Sequence, residues 1–212
     1  MARAGVPVVV LMLSLAGGGA AHAQGHPLTE DFVSRLLEAA LAQTTRGATT
    51  YDGSYRRIPY PGGDVPLEIG VCTDVVIRAY RRLGIDLQVE VHEDMRRAFS
   101  VYPQTWGLRA PDTNIDHRRV PNLMTYFRRV GAALPVSRQA RDYRPGDLVT
   151  WMLPGNLPHI GIVTARRVAE SGVPLIVHNI GRGPEVEDVL FVYPITGHFR
   201  YGGPPRARSL GR

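Results

Sequence analysis

Two hydrophobic periods follow one another along this chain, and their order limits what it can fold into. Between positions 72 and 83, Cys72, Val75, Val76, Ala79, Tyr80 and Leu83 recur at the spacing that lays a stripe along one helix face. Gly84 follows, where a residue of positive φ caps a helix. Upstream, Thr29 predicts the N-cap of a helix reaching to about Gln43, with Phe32, Val33, Leu36, Leu37, Ala40 and Leu41 on its inner face. Two more helices are expected around Val91–Ser100 and Pro121–Val130, the second opened by proline in its first turn. After Pro145-Gly146-Asp147 the pattern changes to short apolar runs. Asp147–Met152, His159–Ala165, Leu175–Ile180 and Asp188–Tyr193 read as strands. Helices first and strands after predict an α+β fold, with N-terminal helices packed on a small, mostly antiparallel sheet.

The ends of the chain read differently. Arg3, the apolar run Val8–Leu15 and the small-x-small triplet Ala21-His22-Ala23 predict a cleaved export signal over residues 1–23, with Gln24 as the mature start. An uncut N-terminal anchor helix is the alternative; either way the folded part is expected in the periplasm or outside the cell. No later stretch reaches the ~20 apolar residues that span a bilayer, so no membrane span is expected after cleavage. Residues 24–201 read as a single domain, residues 47–70 within it as a long Gly-, Pro- and Tyr-rich loop, and residues 202–212 as a disordered tail. The formal charge is +6, and all 25 basic residues are arginine. These arginines are scattered in pairs, with no basic helix and no interleaved aromatics, so nucleic acid is not the expected partner. A positive exported surface suits the anionic cell envelope.

Cys72 is the chain's single cysteine, so no intramolecular disulfide forms, and a lone thiol outside the cytoplasm invites a chemical explanation. It stands at the first turn of the strongest helix, where unpaired N–H groups and the helix dipole favour a thiolate and are expected to lower its pKa. The same N–H groups can hold the oxyanion of an acyl-transfer intermediate. Cysteine also packs as a small buried hydrophobe, and its place on the apolar stripe suits that equally. A cysteine nucleophile needs a base and a group that orients the base. His159 opens the run HIGIV, where alternation puts it on one face with Gly161 and Val163, and Gly161 leaves room for a close neighbour. A surface histidine after PGNLP is the plain alternative. In the following run LIVHNI, His178 and Asn179 point to opposite faces, so only one can reach His159, and periodicity does not choose between them. His92-Glu93-Asp94 lacks a second ligand at helical spacing, and His117 and His198 give it no zinc spacing, so no metal is implied.

At these residues a resemblance emerges. Cys72 at a helix start, PGDLV (145–149), PHIGIV (158–163) and IVHN (176–179), in that order, resemble the NlpC-type peptidases of the papain-like superfamily. Over nearly the whole mature chain, YDGSY, YPGGDVP, GVCTDVVIRAYRRLGIDL, VHEDM, YPQTWGL, NIDHRRVPNL, HNIGRG, EDVLF and ITGHFRY resemble the bacterial family called domain of unknown function 1287. The NlpC resemblance implies Cys72 as nucleophile, His159 as general base and His178 as orienting residue, with cell-wall peptide amides as substrate. The chain departs from that pattern where NlpC-type enzymes carry Asp-Cys-Ser, because here the sequence is Val71-Cys72-Thr73-Asp74. Tyr51 and Asp52 in the long loop, Asp74 after the cysteine, and the fork of His117, Arg118 and Arg119 are candidate substrate contacts; loop packing and a structural salt-bridge cluster are their alternatives.

These readings lead to an exported cysteine amidohydrolase, a peptidase or amidase acting without cofactor or metal on peptidoglycan or a related peptide. Two rivals use the same residues: a non-catalytic module that binds cell wall or a partner protein, and an acyltransferase.

Overall fold

The computed structural model describes Met1 and residues 28–45 and 49–204. The expected export signal beyond Met1 and the tail beyond Pro204 lie outside the described residues.

Helix α1 (Glu30–Leu41) is capped by Thr29, whose hydroxyl accepts the Phe32 N–H. The long segment that follows contributes, among its described residues, the parallel two-residue strands β1 (Thr50–Tyr51) and β2 (Ile69–Gly70), paired with each other. Arg78 holds this segment in place: its guanidinium grips Asp64 through two nitrogens and bonds the carbonyls of Val65 and Ile69 at 3.1 and 3.2 Å. Helix α2 (Cys72–Arg82) begins directly after β2 and ends at Gly84, whose φ of 81° fits the expected cap. Helix α3 (Leu87–Ala98) starts four residues before the apolar pattern suggests, because the Asp86 carboxylate caps it by accepting the Gln88 N–H. A 3-10 turn at Asp116–Arg118 leads into α4 (Val120–Arg129).

Strands β3 (Ala133–Leu134), β4 (Leu148–Leu153), β5 (Leu157–Arg167), β6 (Pro174–Asn179), β7 (Pro184–Glu187) and β8 (Ile195–Phe199) form one six-stranded sheet in the order β3-β8-β4-β5-β6-β7. Each pairing in it is antiparallel. The expectation of helices before a mostly antiparallel sheet therefore holds; β3, β7 and β8 are strands that the sequence pattern did not announce, and two further details change. His159 does not open its strand: β5 starts two residues earlier, with Leu157 paired to Leu153 across the Pro154–Asn156 turn. Asp188–Tyr193 is not a strand. It crosses the sheet as irregular chain, burying Leu190, whose carbonyl accepts the Trp151 indole N–H at 3.0 Å.

The sheet is buried on both faces. Ile160, Ile162, Val177 and Leu148 meet the helices through Val75, Val76, Ala79 and Tyr80. On the other face Val149, Trp151, Val163 and Ile176 pack with Tyr143 and Leu190. Two-sided burial explains why β4, β5 and β6 read as almost continuous apolar runs. No helix among the described residues is long and apolar enough to cross a membrane.

Candidate active site

Cys72 is the first residue of α2, and that helix lies against β5 and β6. Its local frame comes from Asp74, the acid that follows the cysteine. One Asp74 oxygen accepts the Val71 N–H at 2.7 Å, so a donor at the helix entrance is satisfied from within the first turn. The guanidinium of Arg118 closes on the same carboxylate with two bonds of 2.9 Å. Thr73 adds a third tie, its hydroxyl donating to the Arg118 carbonyl at 3.0 Å. The helix start is thereby locked to the turn before α4.

Three donors converge on Sγ. These are the backbone N–H of Ile160, the Tyr51 hydroxyl at 4.0 Å and the backbone N–H of Thr73. The Ile160 amide is free to face sulfur because the paired register of β5 and β6 begins only at Ile162 and Val177. Burial nevertheless dominates, since Cys72 is only 3% exposed, and pushes its thiol up to about 11. The expected lowering by the helix start therefore does not occur in this state. An enclosed sulfur anion loses more hydration than the three donors restore, and the nearby Asp74 carboxylate opposes it further. Tyr51 is raised too, by burial and then by Cys72, so its hydroxyl keeps its proton and stays a donor.

One residue before Ile160, the His159 imidazole leaves β5 and meets His178 from β6. His159 Nε2 and His178 Nδ1 lie 2.9 Å apart, with the rings edge to face. Gly161 makes this approach possible: a Cβ there would lie 2.6 Å from Ile176 Cγ2 and 3.0 Å from His178 Cβ. Both histidines are about 2% exposed or less. Burial, and then the neighbouring ring, lowers His159 to about 3, so it is neutral across the ordinary pH range. Burial lowers His178 as well, against the pull of Glu187. Of the two residues that periodicity left open, Asn179 takes another place. Its side-chain N–H donates to the Gly70 carbonyl at 3.4 Å, and its oxygen accepts the N–H groups of Gly181 and Gly183. It ties the end of β6 to the residues just before Cys72.

The other sequence candidates divide by burial. Asp74 and Arg118 are sealed against each other, and His117 is buried beside them, so none of the three offers a charged fork to the exterior. Arg119 pairs with Asp116 at 3.0 Å and stacks over Trp106 at 4.0 Å. Asp52 accepts from Ser54 and Arg56, shaping its own loop. Tyr51 alone of this group reaches the thiol.

Sequence comparison adds the family. The model for "Domain of unknown function (DUF1287)" matches residues 37–201. The chain belongs to that family. It is also similar to the uncharacterized protein YijF of Escherichia coli (strain K12), with 54% identity over 151 residues, covering 71% of this chain and 73% of the relative. The match takes in Cys72, the β5 and β6 histidines and the elements that position them.

Two features of the site escaped sequence reasoning. The Ile160 amide carries no side-chain signature and is visible only once strand register is known. Glu187, whose carboxylate lies 3.0 Å from His178 Nε2, sits on the four-residue strand β7, whose Pro-Glu-Val-Glu alternation is too short to announce a strand.

Proposed function

We propose that this protein is an exported cysteine amidohydrolase of the papain-like, NlpC type, cleaving a peptide amide in peptidoglycan or a related envelope substrate. The observation that carries this reading is the convergence on Cys72 Sγ of the Thr73 and Ile160 amides and the Tyr51 hydroxyl, one residue from a histidine already bonded to a second histidine. Packing alone needs no such set of donors around a sulfur.

In this mechanism the resting pair is neutral thiol and neutral imidazole, as burial dictates. An amide carbonyl entering against the helix start draws the thiol proton to His159 as sulfur attacks. The resulting imidazolium and oxyanion offset each other's desolvation, which neither does alone. In this reading the helix-start amides around Cys72 and the Tyr51 hydroxyl hold the oxyanion. His159 then returns the proton to the leaving amine, and water releases the acyl group by the reverse steps.

The test is muropeptide digestion by the wild type and Cys72→Ala, followed by product mass. Release of a shortened peptide by the wild type and none by the variant is expected. Undiminished release by Cys72→Ala would sink the cysteine mechanism. A second reading draws support from the same burial: a thiol held near 11 suits an idle site in a module that only binds. That reading predicts equal muropeptide affinity in both proteins with no product from either. Product joined to an added amine instead of water would mark an acyltransferase.

A further inference from the structure

Strand β7 pairs with β6 in a register that sets Glu187 opposite Ile176 and Glu185 opposite His178. Partners across an antiparallel pair share a face, so both carboxylates stand on the side of the sheet that carries the His178 ring. Glu187 Oε2 comes to 3.0 Å from His178 Nε2, too oblique for a straight hydrogen bond, and that buried nitrogen has no other polar partner. Arg182 steadies the arrangement from outside, bonding Glu187 Oε1 at 3.3 Å and Glu185 Oε1 at 3.1 Å.

This contact fixes where the protons sit. A nitrogen lone pair facing a carboxylate at 3.0 Å is repelled, whereas an N–H is attracted, so His178 carries its proton on Nε2. In a neutral ring Nδ1 is then a bare acceptor. Across the 2.9 Å contact His159 must donate from Nε2, which leaves His159 Nδ1 with its lone pair. The opposite arrangement, with His178 protonated on Nδ1, would put the His159 proton on Nδ1 and remove the base.

We infer that Glu187 is a positioning residue: through His178 it selects the His159 tautomer whose Nδ1 can take a proton. The consequence for catalysis rests on the proposed roles of Cys72 and His159. The tautomer order does not, and this separation makes the two claims independently testable.

Nitrogen-15 NMR of the histidine rings in the full chain near neutral pH reads the tautomers without substrate. The wild type is expected to show Nε2–H with bare Nδ1 at both His159 and His178. Glu187→Ala is expected to shift His178 toward the Nδ1–H form. It should also lower kcat on muropeptide about ten- to a hundredfold, with KM little changed, the scale on which a misplaced acid–base proton acts. Glu187→Gln, whose side-chain carbonyl can still accept the Nε2 proton, should keep most of the tautomer and most of the rate; its near-identical shape keeps the comparison valid should the alanine variant fold poorly. A wild-type His178 protonated on Nδ1, or a Glu187→Ala protein with unchanged ring signals and unchanged kcat, would overturn the inference. The expected ring states in a protein that hydrolyses nothing would instead remove the hydrolase reading and leave the relay standing.

Discussion

At the scale of single residues, the Asp74–Arg118 pair shows how this chain fixes its helix start with an acid from inside the first turn. Asp74 accepts the Val71 amide from inside the first turn, and Arg118 neutralises it with two bonds. Both side chains are almost wholly enclosed, at 3% and 2% exposure. Such a pair adds little beyond what two apolar residues would, but breaking it strands a charge. Arg118→Met should therefore cost about 3–5 kcal/mol, the usual penalty for leaving one buried partner uncompensated. Adding Asp74→Asn should recover part of that loss, because the amide oxygen can still accept from Val71 while the stranded charge is gone. Urea unfolding of the two variants checks this; equal losses would show that Asp74 is not the group Arg118 serves. Arg118→Lys should also destabilise, since an ammonium cannot span both carboxylate oxygens and reach the Asp52 carbonyl that Arg118 contacts at 3.2 Å.

At the scale of elements, the β5–β6 pair decides whether the two histidines meet. Gly161→Ala would press a methyl group against Ile176, His178 and the Val177 carbonyl, at 2.6, 3.0 and 3.0 Å before relaxation. Overpacking of this kind costs about 1–3 kcal/mol, and relief requires β6 to move outward, lengthening the His159–His178 contact. The variant should melt lower and lose the proposed hydrolase activity beyond what its folded fraction explains; a melting curve with specific activity measured well below the transition separates the two. Much of this geometry was legible beforehand. Thr29, Gly84 and Pro121 mark helix ends by local chemistry, and Gly161 marks a close approach by its missing side chain. What escaped depends on pairing. The apolar run Asp188–Tyr193 reports burial, not a ladder, and becomes irregular cover over Trp151. The choice between His178 and Asn179, and the whole of Glu187, turns on strand register, which no residue spells out locally. The raised thiol is a further case: a helix start is readable from sequence, whereas the depth at which it is buried is not.

At the scale of the whole molecule, neutral histidines are built into both the site and the framework behind it. His117 is 2% exposed, its Nδ1 has no partner, and burial followed by Arg118 and Arg81 lowers it to about 3. His159 is lowered to about 3 as well, and His178 moves in the same direction. In the unfolded chain each takes a proton near 6.5, while the folded protein refuses it until far lower pH. Above 6.5 both states are neutral and these groups impose no penalty. Below 6.5 the unfolded state binds more protons, so stability falls as pH falls, by about 1.4 kcal/mol per unit for each such histidine until its folded pKa is reached. With several groups acting together, a total stability of about 5–15 kcal/mol is exhausted within a few units. The protein should therefore lose melting temperature steeply between pH 6.5 and 4 and hold it nearly constant from 6.5 to 8. His117→Gln, which has no proton to gain, should flatten the acid slope by about one histidine's share while leaving the site's ring tautomers unchanged. Melting curves across that range decide it, and an acid slope that His117→Gln does not alter would mean that the ring accepts its proton in the folded state. The same burial then keeps the His159 ring neutral throughout the range in which the protein is stable, so its tautomer, not its charge, is what folding fixes.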